Sequence, residues 1–256
     1  MRLFFLIMFL AASIFPASYF VLSSVPPSHP ALYDIPSGPQ LPVRIAVIYN
    51  PEASTPENEL PECLPSRLTP LFDLLKRNGG ELAMGVATEE RAPKLLRLHI
   101  ASPPQQPALL PLSDNPSLRA EQERQYNSQA AGFALDLATS LRAADHRIQR
   151  FLEALTPFLA TPMPSSRNLD GALTQAAYFL NEQTEGPQAL RFAVLISGRE
   201  DTILSILSPV TSGPAFVVVN PTGKTGVPGG AQPLVFTHVE DAFHYIVQQA
   251  NRIPAG

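Results

Sequence analysis

Residues 190–201 read LRFAVLISGRED, and this stretch decides the fold. From Leu190 to Ile196 it is apolar apart from Arg191. It is too short for a helix and, with Val194 and Ile196, β-branched enough for a central strand covered on both faces. It ends in the turn Ser197-Gly198-Arg199-Glu200-Asp201. Just before it, residues 168–184 set Leu169, Ala172, Leu173, Ala176, Ala177 and Leu180 on one stripe at helical spacing. A second strand of the same kind, residues 43–49, opens the folded region and runs into Asn50-Pro51-Glu52-Ala53-Ser54. In an open parallel sheet, the loops beyond the carboxyl ends of such strands form the binding crevice. A site is therefore expected where residues 50–54, 166–167 and 197–201 converge.

The remaining pattern extends the alternation of strands and helices. A Pro- and Glu-rich loop to about residue 65, with Cys63 in it, precedes a short helix over residues 67–77 that stops at Asn78-Gly79-Gly80. Residues 81–88 and 94–101 read as a strand pair; in the second, Leu96, Leu98 and Ile100 face one way and Arg97 and His99 the other. After a proline-rich loop, two helices are expected, over residues 117–143 and 145–160, with Asp145 as the N-cap of the second. Residues 201–207 suggest a short helix, 215–220 a buried strand, 234–237 a short strand and 240–252 a closing amphipathic helix. The predicted fold class is α/β, Rossmann-like, a mostly parallel sheet with one antiparallel edge strand and helices on both faces.

Composition narrows the function. The 256 residues carry a net charge of −4 with no basic stripe or aromatic-basic cluster, so nucleic acid is not an expected partner. One cysteine excludes an intrachain disulfide and a thiolate metal cluster. Residues 3–22 are almost continuously apolar behind Arg2, which predicts either a retained single-pass anchor or a cleaved signal peptide. Either places the body on the extracytoplasmic side of the cell envelope, membrane-held or periplasmic or secreted after cleavage. Residues 23–42, with six prolines among Ser and Gly, read as an extended spacer between this segment and a domain over residues 43–256.

The order of elements and three junctions together resemble the von Willebrand factor type A domain. The junctions are residues 43–54, the run Ser165-Ser166-Arg167-Asn168-Leu169-Asp170-Gly171, and residues 192–201. In that family an Asp-x-Ser-x-Ser motif, a Thr and a second Asp hold a divalent cation that a partner's carboxylate completes. Position by position, this chain has Asn50, Glu52, Ser54, Arg167 and Ser197 there, so only Ser54 is kept. A hard cation needs anionic oxygens, and Arg167 contributes a permanent positive charge. The resemblance thus implies a degenerate metal site and no cofactor.

Catalytic signatures fail on inspection. Gly223-Lys224-Thr225 has Val218 where a phosphate loop needs Gly, and Ser197-Gly198 has Leu195 where a nucleophile elbow needs Gly. The expected function is a non-enzymatic protein-interaction module that meets another protein of a membrane or envelope assembly. Its crevice would be formed by Asn50, Glu52, Ser54, Arg167, Ser197, Glu200 and Asp201. The rival readings are a metal-dependent hydrolase or transferase using Glu52, Glu200 and Asp201, and a structural subunit of an envelope assembly.

Overall fold

The computed structural model describes residues 40–50, 60–88, 93–107, 114–159, 168–182, 189–197, 215–219 and 234–252, without the side chains of 60–63 and 216. The strands are β1 (Val43–Asn50), β2 (Gly80–Val86), β3 (Leu96–Ile100), β4 (Leu190–Ser197), β5 (Ala215–Val219) and β6 (Leu234–Phe236). The helices are α1 (Leu60–Arg67), α2 (Thr69–Asn78), α3 (Pro116–Leu159), α4 (Leu169–Asn181) and α5 (Val239–Arg252).

The six strands form one sheet in the order β3-β2-β1-β4-β5-β6. All neighbours are parallel except β2 and β3, so the antiparallel strand lies at an edge as expected. β1 is buried along its whole length, between β2 and β4. Its alternate side chains split the core in two, as the pleat requires. Val43, Ile45, Val47 and Tyr49 pack under α1, α2, α5 and the carboxyl-terminal part of α3. Ala46 and Ile48 pack under α4 with Ala193, Leu195 and Val218.

Local chemistry explains the element ends. Asn168 caps α4, its Oδ1 accepting from the Gly171 N–H at 2.8 Å. α2 stops at Gly79 and Gly80, whose φ values of 73° and 126° favour glycine. A Cβ on Gly80 would stand 1.9 Å from the Val43 carbonyl oxygen.

Two sequence expectations are corrected. The loop expected up to residue 65 contains α1, so Cys63 lies on a helix. Pro61 falls in its first turn, where no intrahelical N–H is required, and the fully buried Leu64 and Leu68 bind this segment to the core. The two helices expected over 117–160 are one, α3. Residues 143–146 (AADH) contain no breaker, and Asp145 does not cap a helix start; its carboxylate meets Lys76 of α2 at 2.7 Å. The expected elements over residues 3–22 and 201–207, and the 23–42 spacer up to residue 39, lie outside the described residues. The end of the spacer belongs to the body: the Leu41 carbonyl accepts from Asn78 Nδ2 at 3.0 Å and the Pro42 carbonyl from the Leu190 N–H at 2.9 Å.

Candidate functional site

The strand order reverses direction at β1, with β2 built outward on one side and β4 on the other. Open α/β sheets place their ligands at such a switch point, beyond the carboxyl ends of the strands. Here that means the last residues of β1 and β4, Asn50 and Ser197, which the ladder sets opposite each other. Asn50 Nδ2 donates to Ser197 Oγ at 3.0 Å. Both residues are buried, 7% and 2% exposed. Asn50 Oδ1 is a buried acceptor with no hydrogen-bond partner among the described residues. Leaving such a group unsatisfied costs roughly 1–3 kcal/mol.

Adjacent backbone contacts frame the same end of the sheet. The Ala87 N–H donates to the Tyr49 carbonyl at 3.0 Å, and the Asn168 N–H to the Thr88 carbonyl at 2.7 Å. The start of α4 is therefore tied to the chain leaving β2, beside the end of β1. Two of the seven expected crevice residues, Asn50 and Ser197, are thus brought together. Glu52, Ser54, Arg167, Glu200 and Asp201 lie outside the described residues, as does the glycine-rich loop around Lys224. Arg167 immediately precedes the anchored Asn168. The anchors Tyr49, Ala87 and Thr88 act through backbone atoms, which no side-chain pattern announces.

The opposite end of the sheet holds a cluster of charges that sequence reasoning did not single out. His99, Glu81, Arg44 and Arg191 stand in one row across β3, β2, β1 and β4. Arg44 is 4% exposed. Its Nη1 donates to the Phe179 carbonyl at 3.1 Å and to the Glu182 carbonyl, and its Nη2 lies 2.9 Å from Glu81. Arg191 Nη1 reaches Asn181 Oδ1 at 2.9 Å. These cations sit under the carboxyl-terminal turn of α4, where the helix dipole favours positive charge. Arg97 grips both Glu182 carboxylate oxygens, at 2.9 and 2.7 Å. Arg44 and Arg97 both lie over the Phe179 ring, 5.5 and 5.0 Å from its centre. The cluster fastens α4 to β1–β3 and is distant from the crevice. The available signal was Arg44 itself, a lone charge inside an otherwise apolar strand.

Two histidines have structural roles. His99 pairs with Glu81 at 3.3 Å, and His244 Nδ1 contacts the Glu240 carbonyl within α5. Among the described residues no three His, Cys, Asp or Glu side chains are grouped to hold a metal ion, and no helix is long and apolar enough to cross a membrane.

No protein-family model matches the chain. No curated protein matches it either. Among solved structures it is similar to an aerotolerance-related membrane protein from Bacteroides fragilis, crystallised with multiple mutations to serines. The identity is 14% over 82% of this chain and 100% of that one, with a TM-score of 0.42. It is also similar to proximal thread matrix protein 1 from the mussel byssus, at 7% identity over 83% of this chain and 48% of that one, with a TM-score of 0.37. At these scores neither likeness adds to what the strand order shows.

Proposed function

We propose that the chain is an extracytoplasmic protein-interaction module of the von Willebrand factor A type, which takes a partner at the β1/β4 switch point without a metal ion. The observation that carries this reading is the buried Asn50–Ser197 hydrogen bond. In the resembling family both positions carry carboxylates that hold a cation. Here two neutral groups bond each other through a single contact, and neither supplies the anionic oxygen a hard cation requires. Arg167 takes the place of the ion in this reading. It precedes Asn168, which is bonded to Thr88 at 2.7 Å, and a guanidinium can serve both the Glu52 carboxylate and the open Asn50 oxygen. Residues 3–22 hold the module at the envelope, and residues 23–42 set it off the surface.

The test is a pull-down from detergent-solubilised membranes with the intact chain, run beside Arg167→Ala and Glu200→Ala. A partner retained by the unaltered chain and lost with Arg167→Ala supports the reading. Equal recovery with all three overturns the crevice as the binding site. A rise in melting temperature of the unaltered protein with millimolar Mg²⁺ overturns the metal-free site.

A further inference from the structure

The antiparallel strand at the edge of the sheet, β3, leaves half of its backbone without a strand partner. At the two ends of β2, the Gly79 carbonyl accepts from the Val43 N–H and the Ala87 N–H donates to the Tyr49 carbonyl, so the odd-numbered residues of β2 bond to β1. Its even-numbered residues therefore turn to β3, opposite Ile100, Leu98 and Leu96. Arg97 and His99 direct their N–H and C=O groups the other way, along the free edge. The Arg147 guanidinium of α3 reports the same direction, its Nη1 donating to the His99 carbonyl at 3.2 Å.

That edge is one wall of a groove of about 510 Å³, and α3 is the other. Leu96, Leu98, Phe151 and Ala154 supply its apolar lining, and Arg147 and Arg150 supply its charge from adjacent turns of the helix. Side chains alternate along a strand. Leu98 and Ile100 join the core cluster that includes Phe151 of α3, so Arg97 and His99 point to the opposite face, where they meet Glu182 and Glu81. What these two residues offer the groove is backbone. Arg150 has no hydrogen bond or ion pair among the described residues, and Glu153, three residues on, bonds Gln149 at 3.1 Å.

These features select the occupant. Backbone groups open at every second residue of an edge strand match another extended chain. A second β3 is disfavoured, because it would set Arg97 and His99 beside their own copies, like charge against like. An acidic chain gains what that copy would lose. We propose that the free edge of β3 takes up an extended acidic segment of another protein as an added strand. Arg147 already holds the His99 carbonyl, which leaves two N–H groups and the Arg97 carbonyl for the incoming backbone. Residues two apart on a strand share a face, so an acidic side chain can meet Arg150 while an apolar one two positions away covers Phe151 and Ala154. This surface lies two strands from β1 and does not depend on the crevice.

The experiment is fluorescence anisotropy of the full chain in detergent with the labelled peptide Ser-Thr-Val-Thr-Glu-Thr-Val-Thr-Ser, symmetric about its glutamate so that it suits either chain direction. Saturable binding with a dissociation constant below about 1 mM is expected for so small an interface. Arg150→Glu, or lysine in place of the peptide's glutamate, should weaken binding at least about tenfold, and the two changes together should restore it. Arg124→Glu, the same charge change in the far part of α3, should have no effect, and circular dichroism should show both variants folded. In either direction only one set of alternate peptide amides faces β3, so N-methylation of one set should abolish binding and of the other spare it. Amide hydrogen exchange at Arg97 and His99 should slow in the complex. Absence of saturable binding, failure of the paired charge reversal to rescue it, or tolerance of methylation in both sets, which would report a bare carboxylate site, would each overturn the proposal. So would a chain that dimerises through this edge in place of binding the peptide.

Discussion

Arg97 on the edge strand and Glu182 just past the end of α4 meet through two parallel N–H···O contacts of 2.9 and 2.7 Å, across 85 residues of sequence. The pair draws the one antiparallel strand under the helix that covers that face of the sheet.

This pair makes stability depend on acid. The Arg97 hydrogen bond, aided by the charges of Arg97 and Arg44 and opposed by partial burial, holds the Glu182 carboxyl below its ordinary value of 4.5. A depressed carboxylate stabilises the fold fully above that ordinary value and loses the contribution as pH falls through its lower folded-state pKa. Both side chains are nearly half exposed, so the effect is under about 1 kcal/mol. Glu182→Gln should lower the melting temperature slightly at neutral pH, with the deficit vanishing below the ordinary carboxylate range. An equal deficit at pH 7 and at pH 3 would show that the pairing charge is not responsible.

Arg44 carries more. Its removal would leave the Phe179 and Glu182 carbonyls without their shared donor and the Glu81 carboxylate without the guanidinium beside it. Arg44→Ala should cost roughly 2–4 kcal/mol in urea denaturation, below the full penalty for a buried pair because Glu81 keeps some solvent contact. Arg44→Ala with Glu81→Gln should cost less than Arg44→Ala alone. If the double variant is the less stable one, the ion pair is not what holds this end of the sheet.

Two glycines should respond in opposite ways to alanine. At Gly80 the positive φ and the Val43 oxygen 1.9 Å from a new Cβ leave no room, so Gly80→Ala should cost more than about 4 kcal/mol and yield little folded protein. Gly132 lies within α3 with nothing within 4 Å of a new Cβ. Gly132→Ala should stabilise by about 0.5–1 kcal/mol through helix propensity alone. Thermal melts of both variants decide the matter.

Limited proteolysis should cut first within residues 23–42 and leave a resistant body beginning near Val43. First cuts within residues 133–159 would contradict a single domain.

The sequence made the sheet legible because its strands are apolar runs of the right length, and it made α4 legible because its Leu/Ala stripe is a local signal. It misjudged what depends on distant contacts. Asp145 has the chemistry of a cap, but Lys76, far away in sequence, claims it. Pro61 and Pro65 look like loop residues until Leu64 and Leu68 are seen sealed in the core. At the crevice, the meeting of Asn50 with Ser197 followed from reading both strands as parallel neighbours. The open Asn50 oxygen did not, since an unsatisfied atom is a property of three-dimensional surroundings.

The position of β1 also sets a timetable for synthesis. β2 follows it closely in the chain, but its other neighbour, β4, begins at Leu190. At about 5–20 residues per second, β1 therefore waits on the order of ten seconds for its second partner. During that interval VRIAVIYN offers a bare, mostly apolar edge, the kind that recruits the wrong strand. Until Leu190 and the residues after it are made, that side of β1 has no native strand to pair with.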